Sequence, residues 1–229
     1  MIIGNGLLAN AFSPRYEADP NIIIFASGVS NSLEMETSSF DREQTLLNSL
    51  LKKPASRIVY FGSCSSLPSQ NATPYLRHKY ALEKLVATAP HGLVLRLPQV
   101  VGRTTNPNTL TNFIYNNIIS DTAFTLWENS ERNLVDVFDV ARIGSRLIDE
   151  ANGIDRIHTI ASRVSLRMPA IVAIFEDIIG RKARYTALPL GGPLRIDASA
   201  AWAIADEMGI DMGNEYTKFI IRKYYASLT

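Results

Sequence analysis

Short β-rich runs alternate with helical patterns along the first part of the chain. The runs are residues 21–26, 57–61 and 93–97, and a helical pattern over residues 41–53, with leucines on one stripe, separates the first two. A second helical pattern, around residues 73–86, separates the last two. Strands that alternate with helices in this way are typical of a parallel sheet with helices on its faces. The sequence therefore predicts an α/β fold.

The chain begins with a short apolar run, followed by the glycine turn Gly4-Asn-Gly-Leu-Leu-Ala9 and a predicted helix through about Phe12. The turn has the form G-x-G-x-x-G/A of a dinucleotide-binding loop. Its glycines would permit a tight turn and a close approach of the backbone, and the helix N-terminus would attract a pyrophosphate. A simple turn between a strand and a helix is the alternative.

After residue 102 the alternation is less regular. Residues 124–127 and 133–137 look like two strands paired around the turn 128–132, which predicts a β-hairpin. The remaining predictions are a strand over residues 156–160 and helices over residues 140–150, 168–179, 198–208 and 214–227. Gly180 would end one of these helices, because glycine is the common residue just after a helix C-terminus.

Composition excludes several classes of protein. A chain of 229 residues, 46% hydrophobic and 20% charged, can form one large domain with a substantial core. A net charge of +1 gives no electrostatic reason to bind nucleic acid or an anionic membrane.

The single cysteine, Cys64, cannot form an internal disulfide, offers no metal cluster and has no catalytic partner in the sequence, so we expect a structural role. The densest apolar run, residues 22–26, is too short to span a bilayer, and the N-terminus lacks the features of a signal peptide. We expect a cytoplasmic protein.

Tyr75 and Lys79 lie four residues apart in the second helical segment. This spacing places both side chains on one face of a helix. A phenol beside an ammonium group is a reasonable proton donor, because the cation favours the phenolate and lowers the tyrosine pKa. A solvated helix face with a chance match is the alternative for this pair taken alone.

Ser63 follows the second predicted strand, with Ser65 and Ser66 close by. A hydroxyl group at the C-terminal end of a central strand faces the crevice in which doubly wound sheets bind ligands, although serine is also common in ordinary turns. Pro98 interrupts the third strand, which is typical either of a loop that leaves the sheet toward a substrate or of a simple turn.

Taken in order, these segments resemble the extended short-chain dehydrogenase/reductase family, which includes nucleotide-sugar epimerases, dehydratases and ketoreductases. The motifs that carry the resemblance are the glycine turn 4–9, the serine-bearing strand end 59–66, the Tyr75/Lys79 pair, Leu95-Arg-Leu-Pro-Gln-Val-Val-Gly102 and Arg132-Asn-Leu-Val-Asp-Val-Phe-Asp-Val-Ala141. The last two are similar to the family stretches L-R-x-x-x-V-x-G and R-x-F-V-x-V-x-D-V-A. The order of the motifs is more specific than any one of them.

The resemblance implies roles for these residues. Tyr75 would be the general acid/base on a sugar hydroxyl or keto oxygen, Lys79 would keep the tyrosine acidic and bind the nicotinamide ribose, and Ser63 would hydrogen-bond the reacting oxygen. Ser65 would replace Ser63 if the loop register differs. Hydride would pass to or from the nicotinamide of NAD or NADP. Arg132 would bind the nucleotide pyrophosphate, with a solvated arginine in a hairpin turn as the alternative.

Further site residues follow from the same resemblance. Expected cofactor contacts are Gly4, Gly6, Leu7, Leu8, Ala26, Ser27, Gly28, Lys79 and Pro98. Expected contacts to the nucleotide-sugar substrate are Ser65, Gln99, Asn112 and Arg132, with Asn112 lining the sugar pocket. Homodimers are common among relatives of this kind, so a homodimer is one of the expected assemblies.

The chain departs from the family pattern in the cofactor half. The strand at 21–26 follows Gly6 closely, and its end, Phe25-Ala-Ser-Gly28, looks like the family's fourth strand and not its second. On that alignment the second and third strands are missing, together with the acidic residue that binds the adenosine ribose. Two hypotheses follow. The cofactor is bound more weakly or differently, with Arg15 near a phosphate, or the protein no longer turns over substrate.

The predicted fold is an α/β, Rossmann-like, doubly wound parallel sheet, truncated on the cofactor side, with a small C-terminal substrate lobe. We expect residues 1–102 and 138–161 to form the core and residues 103–137 and 162–229 the lobe. The leading functional prediction is an NAD(P)-dependent oxidoreductase or epimerase that acts on a nucleotide-activated sugar in polysaccharide biosynthesis. The alternatives are a non-catalytic ligand-sensing or partner-binding relative and an unrelated α/β domain with chance motifs.

Overall fold

The structure is a computed structural model that describes residues 1–29, 31, 34–53, 56–65, 72–151 and 154–226. The chain divides into two compact units. The first consists of Met1–Leu97 and Val137–Ile160, and the second of Pro98–Asp136 and Ala161–Thr229.

The strands in chain order are β1 Ile2–Ile3, β2 Ile22–Phe25, β3 Arg57–Ser63, β4 Gly92–Leu97, β5 Gln99–Val101, β6 Phe124–Trp127, β7 Glu131–Arg132, β8 Leu134–Asp136, β9 Ile157–Thr159, β10 Leu166–Arg167 and β11 Tyr185–Leu188. The helices are α1 Leu7–Tyr16, α2 Thr37–Leu51, α3 Pro74–Thr88, α4 Leu110–Ile119, α5 Val137–Glu150, α6 Met168–Ile179, α7 Ser199–Glu207 and α8 Tyr216–Tyr225. Among the described residues, none of these helices has the length and hydropathy needed to span a membrane.

A five-stranded parallel sheet in the order β1-β2-β3-β4-β9 forms the centre of the first unit. Successive side chains on a strand point to opposite faces, so Tyr60 and Phe61 of β3 mark the two faces. The Tyr60 face packs against α2 and α3 through a core that includes Leu47 and Val86. On the other face, Phe12 of α1 lies 5.3 Å from Phe61 between ring centroids. Helices therefore cover both faces, as expected for a doubly wound sheet.

Helix α5 shares the second face with α1. A Cβ built on Gly144 of α5 would lie 3.0 Å from the Phe12 ring and 3.2 Å from Leu95 of β4. Glycine at this position lets α5 pack close to both α1 and the sheet.

The connection through α1 has the opposite hand to the two that follow it. The β1–α1–β2 and β2–α2–β3 connections move in the same direction across the sheet, but their helices lie on opposite faces. Parallel crossovers are right-handed in almost all proteins, so the pair over α2 and α3 defines the common hand and the α1 connection is the exception. This hand arises because the chain passes from α1 directly to β2, the strand that pairs with β1, with no strands in between.

Strand β1 is an edge strand of the sheet in the described residues, and the strand order does not reverse beside it. In a complete doubly wound sheet, the dinucleotide binds where the strand order reverses. The predicted truncation on the cofactor side is confirmed by this arrangement.

Most predicted elements of the first unit are confirmed, with shifted ends. Helix α1 continues to Tyr16, beyond the predicted end at Phe12, although it contains Pro14. In the second unit, α6 ends at Gly180, whose φ of 72° is the left-handed conformation that favours glycine. Helix α8 corresponds to the predicted 214–227 helix, whose last residue lies outside the described part of the chain.

The predicted hairpin in the second unit is wrong. Strand β6 pairs in parallel with β11, and β8 pairs in parallel with β5, so the two segments do not pair with each other. Strand β7, in the predicted turn, pairs antiparallel with β10. The partners of these strands are distant in sequence, and a local pattern of two strands and a turn cannot distinguish such pairing from a hairpin.

Candidate functional site

Tyr75 and Lys79 lie on α3, which confirms the helical prediction for this segment. The helix begins where the Thr73 hydroxyl accepts a hydrogen bond from the Leu76 N–H at 3.2 Å, with Pro74 in its first turn. The four-residue spacing places the tyrosine and the lysine on one face of this helix. No side-chain hydrogen bond joins Tyr75 to any residue that the structure describes.

The side chain of Lys79 is buried, with 6% of the residue exposed. Its Nζ lies 3.5 Å from Oε1 of Glu43 on α2 and 4.4 Å from the centre of the Tyr60 ring. The ammonium group therefore forms an ion pair and a cation–π contact inside the first unit.

Glu43 is fully buried and receives hydrogen bonds from three further groups. The Val29 N–H donates to Oε2 at 2.8 Å, the Tyr60 hydroxyl donates to Oε1 at 3.1 Å, and His78 Nε2 lies 3.1 Å from Oε2. Burial alone would raise the pKa of this carboxyl group. The hydrogen bond from His78 and the Lys79 charge outweigh burial and hold the pKa at about 2. Glu43 is therefore a carboxylate at neutral pH.

The pKa of Tyr75 shifts in the direction opposite to the one predicted. Burial, with a smaller contribution from the Glu43 carboxylate, raises the pKa of Tyr75 to about 12. The expected lowering by Lys79 does not offset this rise, and the Lys79 ammonium pairs instead with the Glu43 carboxylate. Burial also lowers the pKa of Lys79, and Glu43 opposes that shift. Tyr75 is thus a protonated phenol at neutral pH.

Ser63 ends strand β3, and a second buried carboxylate fixes its backbone. Oε1 of Glu83, which is 1% exposed, accepts the Ser63 N–H at 3.0 Å, and Oε2 accepts Nε of Arg96 at 2.8 Å. Glu83 lies on α3, four residues after Lys79, so the same helix carries the Tyr/Lys pair and fixes the end of the serine strand. A Cβ on Gly62 would lie 2.3 Å from Glu83 Oε1, so this contact requires glycine.

The residues after Ser63 are close to the end of the described segment. Ser65 is exposed, and its N–H donates to the Ser63 hydroxyl at 3.2 Å, while Ser66 lies outside the described residues. Burial raises the pKa of Cys64 to about 12, so its thiol stays protonated at neutral pH. This agrees with the structural role expected for Cys64.

The glycine turn lies against the end of β2. Gly4 has a φ of 123°, and a Cβ there would lie 2.4 Å from the Ala26 carbonyl oxygen and 3.1 Å from the Ser27 nitrogen. Gly6 begins α1 without a side-chain cap, and a Cβ at Gly6 would meet nothing within 4 Å. The turn therefore keeps the first N–H groups of α1 free of a side-chain cap and leaves open space beside them, which fits a pyrophosphate.

The structure brings most of the predicted cofactor residues of the first unit together. Gly4 contacts Ala26 and Ser27, and a Cβ on Gly28 would lie 2.8 Å from Glu43 Oε1 and 3.2 Å from Lys79 Nζ. Leu7 and Leu8 form the first turn of α1 and are partly buried. These residues extend from the glycine turn to the Tyr75/Lys79 helix along the C-terminal ends of β1, β2 and β3.

The positions of two arginines, Arg15 and Arg42, differ from expectation. Arg15 lies in the last turn of α1, about 12 Å along the helix from the glycine turn, and pairs with Asp149 of α5 at 2.6 Å. The prediction of Arg15 near a cofactor phosphate is therefore wrong. Arg42 of α2 was not predicted, and it donates to the Ser27 hydroxyl at 3.3 Å and to the Ser27 carbonyl oxygen at 3.2 Å.

Four predicted ligand contacts, Pro98, Gln99, Asn112 and Arg132, belong to the second unit. Gln99 is exposed at the start of β5, where its N–H donates to the Asn133 carbonyl oxygen at 3.0 Å, and Pro98 is half-buried. Arg132 lies on β7 and not in a hairpin turn. Its half-buried guanidinium donates to the Glu131 carbonyl oxygen at 2.8 Å, and no carboxylate in the described residues forms an ion pair with it. Burial lowers the pKa of Arg132.

Asn112 has a structural role. Its amide nitrogen donates to the carbonyl oxygens of Thr104 at 2.9 Å and Asn106 at 2.8 Å, and its amide oxygen accepts from the Tyr225 hydroxyl at 2.6 Å. Both amide protons are used within the protein, which leaves one acceptor lone pair for a sugar. Asn112 therefore has little hydrogen-bonding capacity left for the sugar contact that was predicted for it.

The sequence-based reasoning did not find Glu43 or Glu83. Both fall on apolar stripes of their helices, Glu43 with Leu47 and Leu50, and Glu83 beside Leu82 and Val86. A carboxylate at a buried position of a helical repeat must have a partner, because an unpaired buried charge is very costly. That mismatch between pattern and residue type was the available signal.

The fold and this arrangement of side chains define a Rossmann-like α/β protein with a Ser, Tyr and Lys set at the ends of its strands. The chain belongs to the NAD dependent epimerase/dehydratase family, whose model matches residues 17–161. The match includes Ser63, Tyr75, Lys79 and Arg132 and begins after the glycine turn. Among curated proteins, no sequence matches this chain.

Solved structures of similar fold include enzymes of nucleotide-sugar metabolism. UDP-glucose 4-epimerase from Thermus thermophilus, in complex with NAD, has a TM-score of 0.70 at 14% identity, over 98% of this chain and 84% of that chain. UDP-glucuronic acid 4-epimerase from Bacillus cereus, in complex with UDP-glucuronic acid and NAD, has a TM-score of 0.68 at 15% identity, over 98% and 81%. RMD from Pseudomonas aeruginosa, complexed with NADPH, has a TM-score of 0.67 at 15% identity, over 99% and 89%.

Proposed function

We propose that this protein is an NAD(P)-dependent oxidoreductase or epimerase that acts on a nucleotide-activated sugar. Membership of the NAD dependent epimerase/dehydratase family supports the class of reaction. The similar structures that contain NAD, NADPH or UDP-glucuronic acid support the classes of cofactor and substrate.

One observation carries the proposal. Helix α3 presents Tyr75 and Lys79 on one face, and Glu83 of the same helix fixes the end of the strand that carries Ser63. A phenol, an ammonium and a hydroxyl are thereby organised by one helix and the strand beside it. This is the set of groups needed to move a proton to or from a sugar oxygen.

The residues of the first unit suit the pyrophosphate of a dinucleotide better than its adenosine ribose. The open space beside Gly6 and the uncapped first turn of α1 fit a pyrophosphate, and Gly4 and Gly28 permit close packing where a side chain would collide. No acidic residue ends β2, so the usual contact to the adenosine ribose is missing from this strand. When bound, the nicotinamide supplies or accepts the hydride.

In this proposal Tyr75 is the proton donor and acceptor. Its raised pKa keeps the phenol protonated near neutral pH, which suits proton donation to a keto oxygen during reduction. Ser63 orients that oxygen through its hydroxyl group. Lys79 supplies a positive charge on the helix face of Tyr75 and would donate a hydrogen bond to a hydroxyl of the cofactor ribose. Oxidation of a hydroxyl requires the reverse transfer, from the substrate oxygen to the phenolate of Tyr75.

Arg132 is the proposed ligand of the nucleotide pyrophosphate. Its guanidinium is half-buried and has no carboxylate partner among the described residues, so donors remain for a phosphate. Ser65 and Gln99 are exposed and remain proposed substrate contacts.

A non-catalytic relative is the second candidate. The edge position of β1 and the pairing of Lys79 with Glu43 favour it, because both reduce what is available to hold a dinucleotide. Such a protein would bind a ligand or a partner and would not turn over substrate.

Turnover by the Tyr75→Phe variant distinguishes the two candidates. Purified protein is incubated with NAD(H) or NADP(H) and a panel of nucleotide sugars, while nicotinamide absorbance and product mass are followed. We expect the wild-type protein to convert at least one sugar and Tyr75→Phe to lose activity by a factor on the order of 10²–10⁴. Tyr80→Phe, on the same helix beside Lys79, is the matched control and should retain activity. Equal activity in wild type and Tyr75→Phe would contradict the proposed mechanism.

A further inference from the structure

The Lys79 ammonium is held in the first unit by an ion pair with the Glu43 carboxylate. Its Nζ lies 3.5 Å from Glu43 Oε1 and 4.4 Å from the Tyr60 ring, and the residue is 6% exposed. The same ammonium lies on the helix face that carries Tyr75, and in the proposed function it would bind the cofactor ribose. The position of Glu43 therefore decides where the charge of Lys79 lies.

Glu43 itself has little freedom to move. Its hydrogen bonds come from Val29 after β2, Tyr60 on β3 and His78 on α3, so groups from several elements fix both of its oxygens. The ring of Phe40, 4.7 Å from the His78 ring between centroids, packs against one of these donors. A carboxylate fixed in this way imposes its position on a flexible lysine side chain.

We propose that Glu43 is a positioning residue of the Tyr75/Lys79 site, which holds the Lys79 ammonium against Tyr60 and cancels its charge at the Tyr75 hydroxyl. The inference rests on the proposed function, since it concerns the proton transfer assigned to Tyr75. Glu43 touches neither the reacting oxygen nor the nicotinamide in this proposal, and it acts through the position of Lys79 and through its own charge near Tyr75.

The electrostatic consequence has a definite sign. A cation and an anion 3.5 Å apart form a dipole, whose effect on a third group is much weaker than that of the bare cation. The ionisable groups that act on this pair and on Tyr75 are Glu43 from α2, Tyr60 from β3, and His78 and Glu83 from α3. Without the Glu43 charge, the Tyr75 phenolate is repelled less and the Lys79 ammonium loses its partner. Both groups should then lose their protons at lower pH.

The direct test is an NMR titration of the Tyr75 ring carbon and the Lys79 side chain in the full chain. The samples are wild type, Glu43→Gln and Glu36→Gln, an exposed carboxylate at the start of the same helix as matched control. Tyr75→Phe assigns the tyrosine signal. We expect the Tyr75 midpoint to fall by roughly one pH unit in Glu43→Gln, the Lys79 midpoint to fall as well, and neither to move in Glu36→Gln. Unchanged or raised midpoints in Glu43→Gln would overturn the proposal.

The pH profile of kcat/KM gives a readout that a purely structural role would not move. If wild type turns over substrate, the limb of the profile that reports Tyr75 should shift in Glu43→Gln by the same amount as the NMR midpoint. Activity with a fixed limb and fixed midpoints overturns the role of Glu43 and leaves the proposed function standing. Shifted midpoints in a protein without turnover support the action of Glu43 on Lys79 and Tyr75, while the enzyme function fails.

A second variant covers the case in which Glu43→Gln does not fold. Glu43→Asp keeps the negative charge and retracts it by one methylene group, so the separation from Lys79 increases. The Lys79 midpoint should then fall below that of wild type. An unchanged Lys79 midpoint in folded Glu43→Asp overturns the proposal.

Discussion

The regions at the C-terminal ends of β3 and β1, in the same sheet, are built in different ways. At the end of β3, the buried carboxylates Glu43 and Glu83 connect α2, α3, β3 and β4 through charged hydrogen bonds. At the end of β1, a strand of two residues leads into the glycine turn, where Gly4 packs against the Ala26 carbonyl and no side chain caps α1. The first region is fixed by charged side chains, whereas the glycine turn of the second is positioned mainly by backbone contacts.

This difference separates the two halves of the proposed chemistry. The proton-transfer residues are fixed by the core of the protein, so changes near them should cost stability as well as activity. The glycine turn carries few side-chain contacts, so changes there should alter the binding of a dinucleotide with little effect on folding. The α1 connection, which has the opposite hand to the two that follow it, leads from the glycine turn to β2 at the place where strands of the family pattern are missing.

Removal of the Lys79 charge should have the largest effect on stability. Lys79→Met leaves the Glu43 carboxylate buried without its cation, which should cost about 3–5 kcal/mol in the free energy of unfolding. Urea unfolding followed by circular dichroism measures this loss. Lys84→Met, at an exposed position of the same helix, is the control and should change stability by less than about 0.5 kcal/mol. A loss below about 1 kcal/mol for Lys79→Met would show that the two regions do not differ in the way described.

A methyl group at Gly62 should have an intermediate effect. In Gly62→Ala the new Cβ would lie 2.3 Å from Glu83 Oε1, so the carboxylate must leave the Ser63 N–H or Arg96. We expect a loss of about 1–3 kcal/mol in the free energy of unfolding. Activity should fall further than stability explains, because the end of the Ser63 strand shifts. Wild-type stability in this variant would contradict the role given to Glu83.

The unit around β1 to β4 was largely predictable from the sequence, because its strands and helices alternate and pair with sequence neighbours. The second unit was not. Strands β6 and β8 pair with β11 and β5, and no local pattern encodes a parallel partner so distant in the chain. Helix α4 was missed as well.

The candidate site shows the same limit. Tyr75, Lys79 and Ser63 were found from motif spacing, whereas the partners of Glu43 are defined only by the packing of α2 against α3. The direction of the Tyr75 pKa shift depends mainly on burial of the phenol, with a smaller contribution from Glu43, and was therefore predicted with the wrong sign.

A methyl group at Gly6, in the glycine turn, should have the smallest effect on stability. A Cβ there would meet no atom within 4 Å, so Gly6→Ala should change the free energy of unfolding by less than about 1 kcal/mol. The methyl group would occupy the space through which the backbone approaches a pyrophosphate, so we expect dinucleotide affinity to fall by roughly tenfold. Calorimetric titration of both proteins measures this change, and equal affinities would remove the glycine turn from the cofactor site.

Binding of NAD(H) and NADP(H) to the wild-type protein, measured by isothermal titration calorimetry, tests the enzyme proposal most directly. We expect saturable binding of at least one of these dinucleotides below millimolar concentration, with heat that is reduced in Gly6→Ala. Absence of detectable binding at millimolar cofactor, by a protein shown to be folded, would contradict the account and favour the non-catalytic relative.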